Sequence, residues 1–360
     1  MNLPRPFSYI LIVGLLVFYV VTWRTAPFEK ADFVGFYASA RLWQFGQNPY
    51  DRESQCRLQS TIRADLCMPY AHPPVLLPLF ALISSEDYRA SYNRWCLVLL
   101  IVLAGCAWVA HRISGSFVSA LFAVLFYPVF ISITQGNVSP FLLLSTLLWL
   151  MLLKEKRDLW AGIALSLTVA KPQLALLLAP PLFFCNRKAF WGFCIGATTL
   201  VLMSFALVGM EGFKSLVNTL LDMLRDKEPA TDAAKMYSVT GLLARAGLSR
   251  ALVWPVFVGA IVALSLLWRR RFNLNTQMFG VVLALFAVPH LFMHDVSLLA
   301  IPLLLIRPAG PILASCALLV GQSLGVGYAV FYLLLIALGV FCLTADRRGR
   351  FRLSAGRSIK

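Results

Sequence analysis

Four short polar clusters interrupt an otherwise apolar sequence, and each contains residue types that act in catalysis. They are Asp32, Gln135-Gly136-Asn137, Lys171 with Gln173, and His290 with His294 and Asp295. A charged group in a bilayer core costs about 2.5–3.5 kcal/mol on insertion scales, so each such group is a candidate for function. A carboxylate suits a general base, a lysine suits an anion such as phosphate, and histidines suit hydrogen bonding or a metal.

Asp32 stands at the start of a predicted amphipathic helix. The helix would place on one face the apolar residues Phe33, Phe36, Tyr37, Ala40 and Trp43. This spacing predicts an interfacial helix that ends at Gly46, before the turn at Asn48-Pro49. From spacing alone, Asp32 is either the N-cap of this helix or a general base acting on a hydroxyl at the outer membrane face.

Lys171 interrupts an apolar run, and Pro172 after it disfavours α geometry at the lysine. We therefore predict two short helices that meet at an outer-side apex bearing Lys171 and Gln173. The lysine either extends from a loop to the membrane surface or faces a phosphate or other anion.

His290 and His294 are four residues apart, a spacing that predicts one helix face. Three roles stay open for them: a metal site, hydrogen bonding at an outer cavity, or plain structure. A metal has weak support because the motif lacks the glutamate of zinc proteases and a clear third ligand.

Gln135-Gly136-Asn137 is either a polar turn or part of a site. The glycosylation sequon Asn137-Val138-Ser139 lies too close to the membrane to carry weight.

The elements that must position these residues are membrane helices. Of 360 residues, 59% are hydrophobic and 13% are charged, whereas soluble proteins average about 25% charged. The alternating pattern of a β-barrel is absent, which favours an all-α polytopic protein. With about 20 residues for each span, we expect about 12 spans. We read the first apolar segment as a span, not as a cleaved signal peptide. The predicted spans are residues 7–23, 95–111, 117–133, 139–153, 159–170, 172–185, 190–208, 251–268, 277–289, 296–306, 309–322 and 325–344, and 73–84 is a shorter or re-entrant stretch.

The net charge of +16 is placed in short basic clusters between the apolar runs, so it indicates topology and not nucleic-acid binding. The clusters put both termini in the cytoplasm and residues 24–93 and 209–250 outside. Residues 1–345 would form a single membrane domain, and the basic tail 346–360 would rest on anionic lipid.

Cys56 and Cys67 both fall in the first outer loop, where a disulfide can form if that compartment is oxidising; spacing leaves this open.

Several segments, taken in order, resemble glycosyltransferase family 87. They are Asp32-Phe33-Val34-Gly35-Phe36-Tyr37, Gly46-Gln47-Asn48-Pro49-Tyr50, Tyr70-Ala71-His72-Pro73-Pro74, Gln135-Gly136-Asn137, the stretch from Ala161-Gly162 to Ala170-Lys171-Pro172, and Ser238-Val239-Thr240-Gly241-Leu242-Leu243-Ala244-Arg245. The chain departs from the family with Gln-Gly-Asn where Gly-Gln-x-Asn is frequent, and with Met236-Tyr237 where Asn-Gln often precedes the serine. These departures concern the sugar and acceptor more than the fold.

The resemblance implies a C-type membrane glycosyltransferase fold and an inverting transfer of a sugar, typically mannose, from a polyprenyl phosphate. It implies that Asp32 is the catalytic base. Lys171, His290 and His294 are then candidates for binding the donor phosphate. Further candidates for the substrate cavity are Tyr37, Arg41, His72, Gln135, Asn137, Gln173, Ser238 and Asp295.

The scheme requires neither a cofactor nor a metal. The expected partners are the lipid-linked sugar donor, a glycolipid or glycan acceptor and membrane lipids, with no nucleic acid. A multi-span transporter or lipid flippase is the main alternative, because broken helices and intramembrane polar residues also mark transport pathways. A non-catalytic assembly scaffold is a third.

Overall fold

The computed structural model describes residues 5–25, 32–64, 67–224, 233–306 and 310–345. Within these ranges all regular structure is helical, as predicted. The α-helices are α1 Arg5–Thr25, α2 Phe33–Gln44, α3 Arg52–Ser60, α4 Leu77–Ile83, α5 Tyr88–Ser114, α6 Phe117–Val124, α7 Tyr127–Thr134, α8 Ser139–Lys154, α9 Asp158–Ser166, α10 Pro172–Leu178, α11 Leu182–Cys185, α12 Arg187–Leu224, α13 Val239–Arg245, α14 Val253–Arg270, α15 Leu274–Ala287, α16 Ala300–Ile306, α17 Gly310–Ser323 and α18 Gly327–Ala345. Short 3₁₀ helices cover Pro74–Leu76, Leu167–Ala170, Ala233–Lys235, Arg250–Leu252 and Met293–Leu299. The predicted tail 346–360 lies outside the described residues.

Several of these helices are long and apolar enough to cross a membrane. Among the described residues there are four, namely Tyr88–Ser114, Arg187–Met223, Arg250–Arg270 and Gly327–Thr344. Helices α6 and α7 would make a fifth if the bent pair, with its angle of 48°, is counted as one span. The remaining predicted spans coincide with shorter apolar helices. The protein therefore has the helices of a membrane protein, while the count of about 12 spans stays a prediction.

Glycine and proline divide the long apolar runs at particular points. Gly209 lies within α12 with φ 64° and ψ −171°, so the helix axis breaks there before continuing to Leu224. The predicted apex at Lys171 is present, because the 3₁₀ helix Leu167–Ala170 ends directly before it and α10 begins at Pro172. At these breaks, polar side chains and backbone groups that are not paired within a helix lie at helix ends.

Helix α2 is buried on nearly every side, which corrects the prediction of an interfacial helix with one exposed face. Its buried residues include the whole run from Phe33 to Ala40. Phe33 stacks on Trp95 with 6.0 Å between ring centroids, and Phe36 stacks on Phe80 at 4.9 Å. The period-3.6 pattern located the helix correctly. Aromatic residues of α4 and α5 also cover other faces of the helix. The apolar spacing within α2 cannot predict this packing, because it depends on residues distant in the sequence.

Gly136 permits the close approach of α2 to the turn after α7. The Phe33 amide donates to the Gln135 carbonyl at 3.1 Å, and the Trp95 indole donates to the Gly136 carbonyl at 2.7 Å. Gly136 has φ +62°, and a Cβ added to it would lie 2.7 Å from the Cβ of Phe33. These contacts fix the start of α2, and with it Asp32.

We expect Gly136→Ala to lower stability by more than about 1 kcal/mol, because alanine is strained at positive φ and its methyl would displace Phe33. Thermal unfolding of the detergent-solubilised protein measures the loss. Gly115→Ala is the matched control, since Gly115 also has positive φ but has open space around the added Cβ. Equal losses in the two variants would contradict the role assigned to the contact with Phe33.

The first loop carries a disulfide between Cys56 and Cys67 that resolves the open question from the sequence. Next to it, the Gln59 side chain donates to the Met68 carbonyl and accepts from the Met68 amide, both at 2.7 Å. The disulfide and this pair of hydrogen bonds hold the chain from Met68 to His72 against α3. That strand-like segment forms one wall of the cavity described next.

Candidate active site

A cavity of about 480 Å³ lies where α2, the Lys171 apex, α14 and the segment 289–295 meet. Its polar and charged lining residues are Asp32, His72, Asn137, Lys171, Gln173, Thr240, Arg250, His290, His294 and Asp295. Apolar side chains form most of the remaining wall, among them Leu176, Leu220 and Trp254. The cavity lining thus combines charged and apolar side chains.

Asp32 does not cap α2 with its side chain, so the N-cap alternative is not what the structure shows. Instead its carboxylate oxygen Oδ2 accepts a hydrogen bond from the Asn137 amide at 2.9 Å. The same oxygen lies 3.5 Å from His294 Nδ1. The Asp32 side chain keeps 23% of its surface exposed. A held but accessible carboxylate is able to exchange a proton with a bound substrate.

Asp295 is the buried centre of the cluster, with 2% of its side chain exposed. Its oxygen Oδ2 forms an ion pair with Lys171 Nζ and accepts from the Phe292 amide at 3.0 Å. His294 Nε2 lies 3.5 Å from the same oxygen, and Ser139 Oγ lies 3.1 Å from Oδ1. Since buried charges need partners, Asp295 serves to hold Lys171 and His294 in place.

Lys171 therefore does not extend away from the protein. Its side chain is 13% exposed, lines the cavity and is balanced by Asp295. His294 lies between the two carboxylates of Asp32 and Asp295, so one imidazole connects the accessible acid to the buried one.

His72 and His290 are cavity residues that stay neutral near pH 7. Burial lowers the pKa of His72 to about 4, and burial together with the nearby charge of Lys171 lowers the pKa of His290 to about 3. His72 Nδ1 lies 3.1 Å from the carbonyl oxygen of Ala170, which connects the first loop to the Lys171 apex. Both imidazoles offer hydrogen bonds and no charge.

Four candidates from the sequence lie outside this cavity. The Tyr37 hydroxyl donates to the Ser85 carbonyl at 2.8 Å, and Arg41 donates to Gln44 at the surface. Gln135 takes part through its backbone carbonyl, which accepts from Phe33. Ser238 precedes α13 and is buried, and its carbonyl accepts from the Tyr332 hydroxyl.

His290 and His294 do not share a helix face, contrary to the prediction from their spacing. His290 lies in the non-helical segment after α15, whereas His294 belongs to the 3₁₀ helix Met293–Leu299. Within the described ranges no group of three or more His, Cys, Asp or Glu side chains has an arrangement that could hold a metal ion.

Sequence reasoning missed three polar residues of the site, namely Ser139, Thr240 and Arg250. Ser139 contacts both Asn137 and Asp295, but in the sequence it is one of many serines in apolar spans. Arg250 lines the cavity, but in the sequence it precedes an apolar run, where basic residues commonly flank a membrane span. The available signal for Arg250 was its position at the end of segment 209–250, which is predicted to lie outside, because the positive-inside rule expects basic residues mainly in short cytoplasmic loops.

Comparison with known proteins supports the family resemblance noted in the sequence. The sequence model of glycosyltransferase family 87 matches residues 70–302, which is more than half of the chain. The match contains His72, Asn137, Lys171 and the segment 290–295, while Asp32 lies before it. No curated protein and no solved structure matches the chain. The helical fold, the apolar helices and this match together establish that the chain belongs to glycosyltransferase family 87 and is a membrane glycosyltransferase.

Proposed function

We propose that the enzyme transfers a hexose, typically mannose, from a polyprenyl phosphate to an acceptor hydroxyl with inversion at the anomeric carbon. Asp32 is the general base. The observation that carries this proposal is the Asp32 carboxylate, held through one oxygen by Asn137 and accessible in a cavity that also contains Lys171. A carboxylate in this position takes the proton of the acceptor hydroxyl as its oxygen attacks the sugar.

The unequal environments of the two carboxylates support the proposed inversion. Asp295 is buried and bonded to Lys171, Ser139 and the Phe292 amide, so it is not available as a second nucleophile or base. A single displacement needs only one base and no covalent glycosyl-enzyme. The acceptor then approaches from the face opposite the phosphate.

The leaving lipid phosphate is an anion and needs electrostatic stabilisation more than protonation. Lys171 supplies a positive charge, and His290 and His294 supply hydrogen bonds. Arg250, which lines the same cavity, adds a second cation for the phosphate. Apolar lining residues such as Leu176 and Trp254 suit the first isoprene units of the lipid.

The topology is part of the proposal. The enzyme is a multi-pass protein of the cell inner membrane, with residues 1–345 as one domain, both termini in the cytoplasm and the active site on the outer face. The basic clusters between apolar runs support the orientation. The disulfide between Cys56 and Cys67 agrees with an outer, oxidising compartment.

The test is sugar transfer by the purified protein in nanodiscs from radiolabelled polyprenyl-phosphate-mannose, with extracted cell-envelope lipids and glycans as acceptors. GDP-mannose and polyprenyl-phosphate-glucose are the comparison donors. We expect labelled product from the lipid-linked mannose alone, with the anomeric configuration opposite to the donor's, read by selective α- or β-mannosidase digestion. Transfer from the sugar nucleotide, or retention of configuration, would contradict the proposal. Movement of labelled lipid between leaflets without transfer would favour a flippase.

A further inference from the structure

Ser139 is a fully buried serine at the first residue of α8. Its hydroxyl oxygen lies 2.8 Å from Asn137 Oδ1 and 3.1 Å from Asp295 Oδ1, and its backbone amide donates to Asn137 Oδ1 at 3.0 Å. Ser139 therefore connects the amide that touches Asp32 to the buried carboxylate that holds Lys171. The transfer scheme above assigns it no role.

The contacts of Ser139 fix the orientation of the Asn137 amide. Because Oδ1 accepts from both the hydroxyl and the backbone amide of Ser139, the NH₂ group of Asn137 must face the opposite way, toward Asp32. A flipped amide would place two donors against the Ser139 amide and a carbonyl oxygen against the Asp32 carboxylate, which are both repulsive. The orientation is therefore determined by the hydrogen bonds.

This orientation distinguishes the two oxygens of Asp32. Oδ2 accepts from Asn137 and is the oxygen nearest His294 Nδ1. We propose that Ser139 and Asn137 are positioning residues that occupy Asp32 Oδ2, so that Oδ1 is the atom that takes the proton from the acceptor. This inference rests on the proposed function and adds to it the assignment of one reactive oxygen and the two side chains that select it.

In the step itself, the acceptor oxygen forms a bond to the anomeric carbon and its proton passes to Asp32 Oδ1. The bond from the anomeric carbon to the phosphate oxygen breaks, and its electron pair leaves with the lipid phosphate. Asp32 ends the step neutral, with its Oδ2 still accepting from Asn137. Rotation of the carboxylate would misalign Oδ1, and a misplacement of about 1 Å can cost about 10²-fold in rate.

The test compares Ser139→Ala with Ser145→Ala in the transfer assay. Ser145 is the matched control, since it is also fully buried on α8, but its hydroxyl donates to the Ala164 carbonyl between α8 and α9. Ser139→Ala removes the hydroxyl contacts with Asn137 and Asp295 but keeps the backbone amide, so the Asn137 side chain is held by one contact instead of two. We expect this variant to lower kcat by about 10- to 100-fold with unchanged KM for donor and acceptor, and Ser145→Ala to leave kcat unchanged. Ser139→Cys, which conserves volume but is a weak donor, should behave like alanine.

Non-additivity is the second readout. If Ser139 acts through Asn137, the double variant Ser139→Ala/Asn137→Ala should be no slower than Asn137→Ala alone. Full activity of Ser139→Ala or Ser139→Cys, or additive losses in the double variant, would overturn the assignment while leaving the transferase function intact. Absence of transfer by the wild type from every lipid-linked donor would instead overturn the proposed function, and this inference with it.

Discussion

Replacing Asp32 by asparagine should lower the rate constant of sugar transfer by about 10²- to 10⁴-fold, the usual contribution of a general base. The substitution removes the basic oxygen but keeps an acceptor for the Asn137 amide, so the start of α2 should stay in place. Thermal unfolding should therefore be close to that of the wild type. The measurement is single-turnover transfer from radiolabelled polyprenyl-phosphate-mannose at saturating acceptor.

Asp51→Asn is the matched control for this substitution. Asp51 lies in the same first loop and caps α3, where its side chain accepts from the Ser54 amide, a role that asparagine fills equally well. We expect Asp51→Asn to transfer at the wild-type rate. If Asp32→Asn retained that rate as well, at equal amounts of folded protein, another group would have to be the base.

Lys171→Met should destabilise the protein by about 3–5 kcal/mol, the usual cost of removing one partner of a buried ion pair. The reason is that Asp295, with 2% of its side chain exposed, would lose the cation that balances it. The double variant Lys171→Met/Asp295→Asn should regain part of this loss, because no unbalanced charge remains. Unfolding in mixed micelles with increasing denaturing detergent measures all three proteins.

Lys214→Met is the control for the same change of side chain at the surface. Lys214 pairs with Glu211 at 3.3 Å, but the two side chains are 62% and 85% exposed, so solvent screens the pair and little stability should be lost. If Lys171→Met unfolded like Lys214→Met, Asp295 would not carry the buried charge that the ion pair implies.

The helical elements were largely predictable because apolar length and breaker residues are local properties of a sequence. The apex at Lys171 and the helices around it follow from Pro172, and the family resemblance is confirmed by the match over residues 70–302. The burial of α2 was not predictable from its own pattern. A helix buried on nearly every side, with aromatic rings of α4 and α5 against it, still shows its strongest apolar stripe at period 3.6.

The candidate site was predictable in its residue types more than in its contacts. A polar group beside or within an apolar run costs free energy in a membrane, and this cost draws attention to Asp32, Asn137, Lys171, His294 and Asp295. Which of them touch one another depends on long-range packing, and spacing alone misplaced the two histidines on one helix face. Ser139 carries no such signal, since a serine in a membrane helix costs little free energy and is common.

The polar cluster also has a consequence for how the enzyme is made. Asp32 comes from the first loop, Lys171 from the middle of the chain, and His294 and Asp295 from its last quarter. At about 5–20 residues per second, a ribosome needs on the order of tens of seconds to pass from the first of these to the last. Until Asp295 has been made, Lys171 lacks its buried counter-ion, so the polar cluster of the nascent enzyme is incomplete. The cluster can be completed only when the segment after α15, which carries His294 and Asp295, packs against the earlier helices.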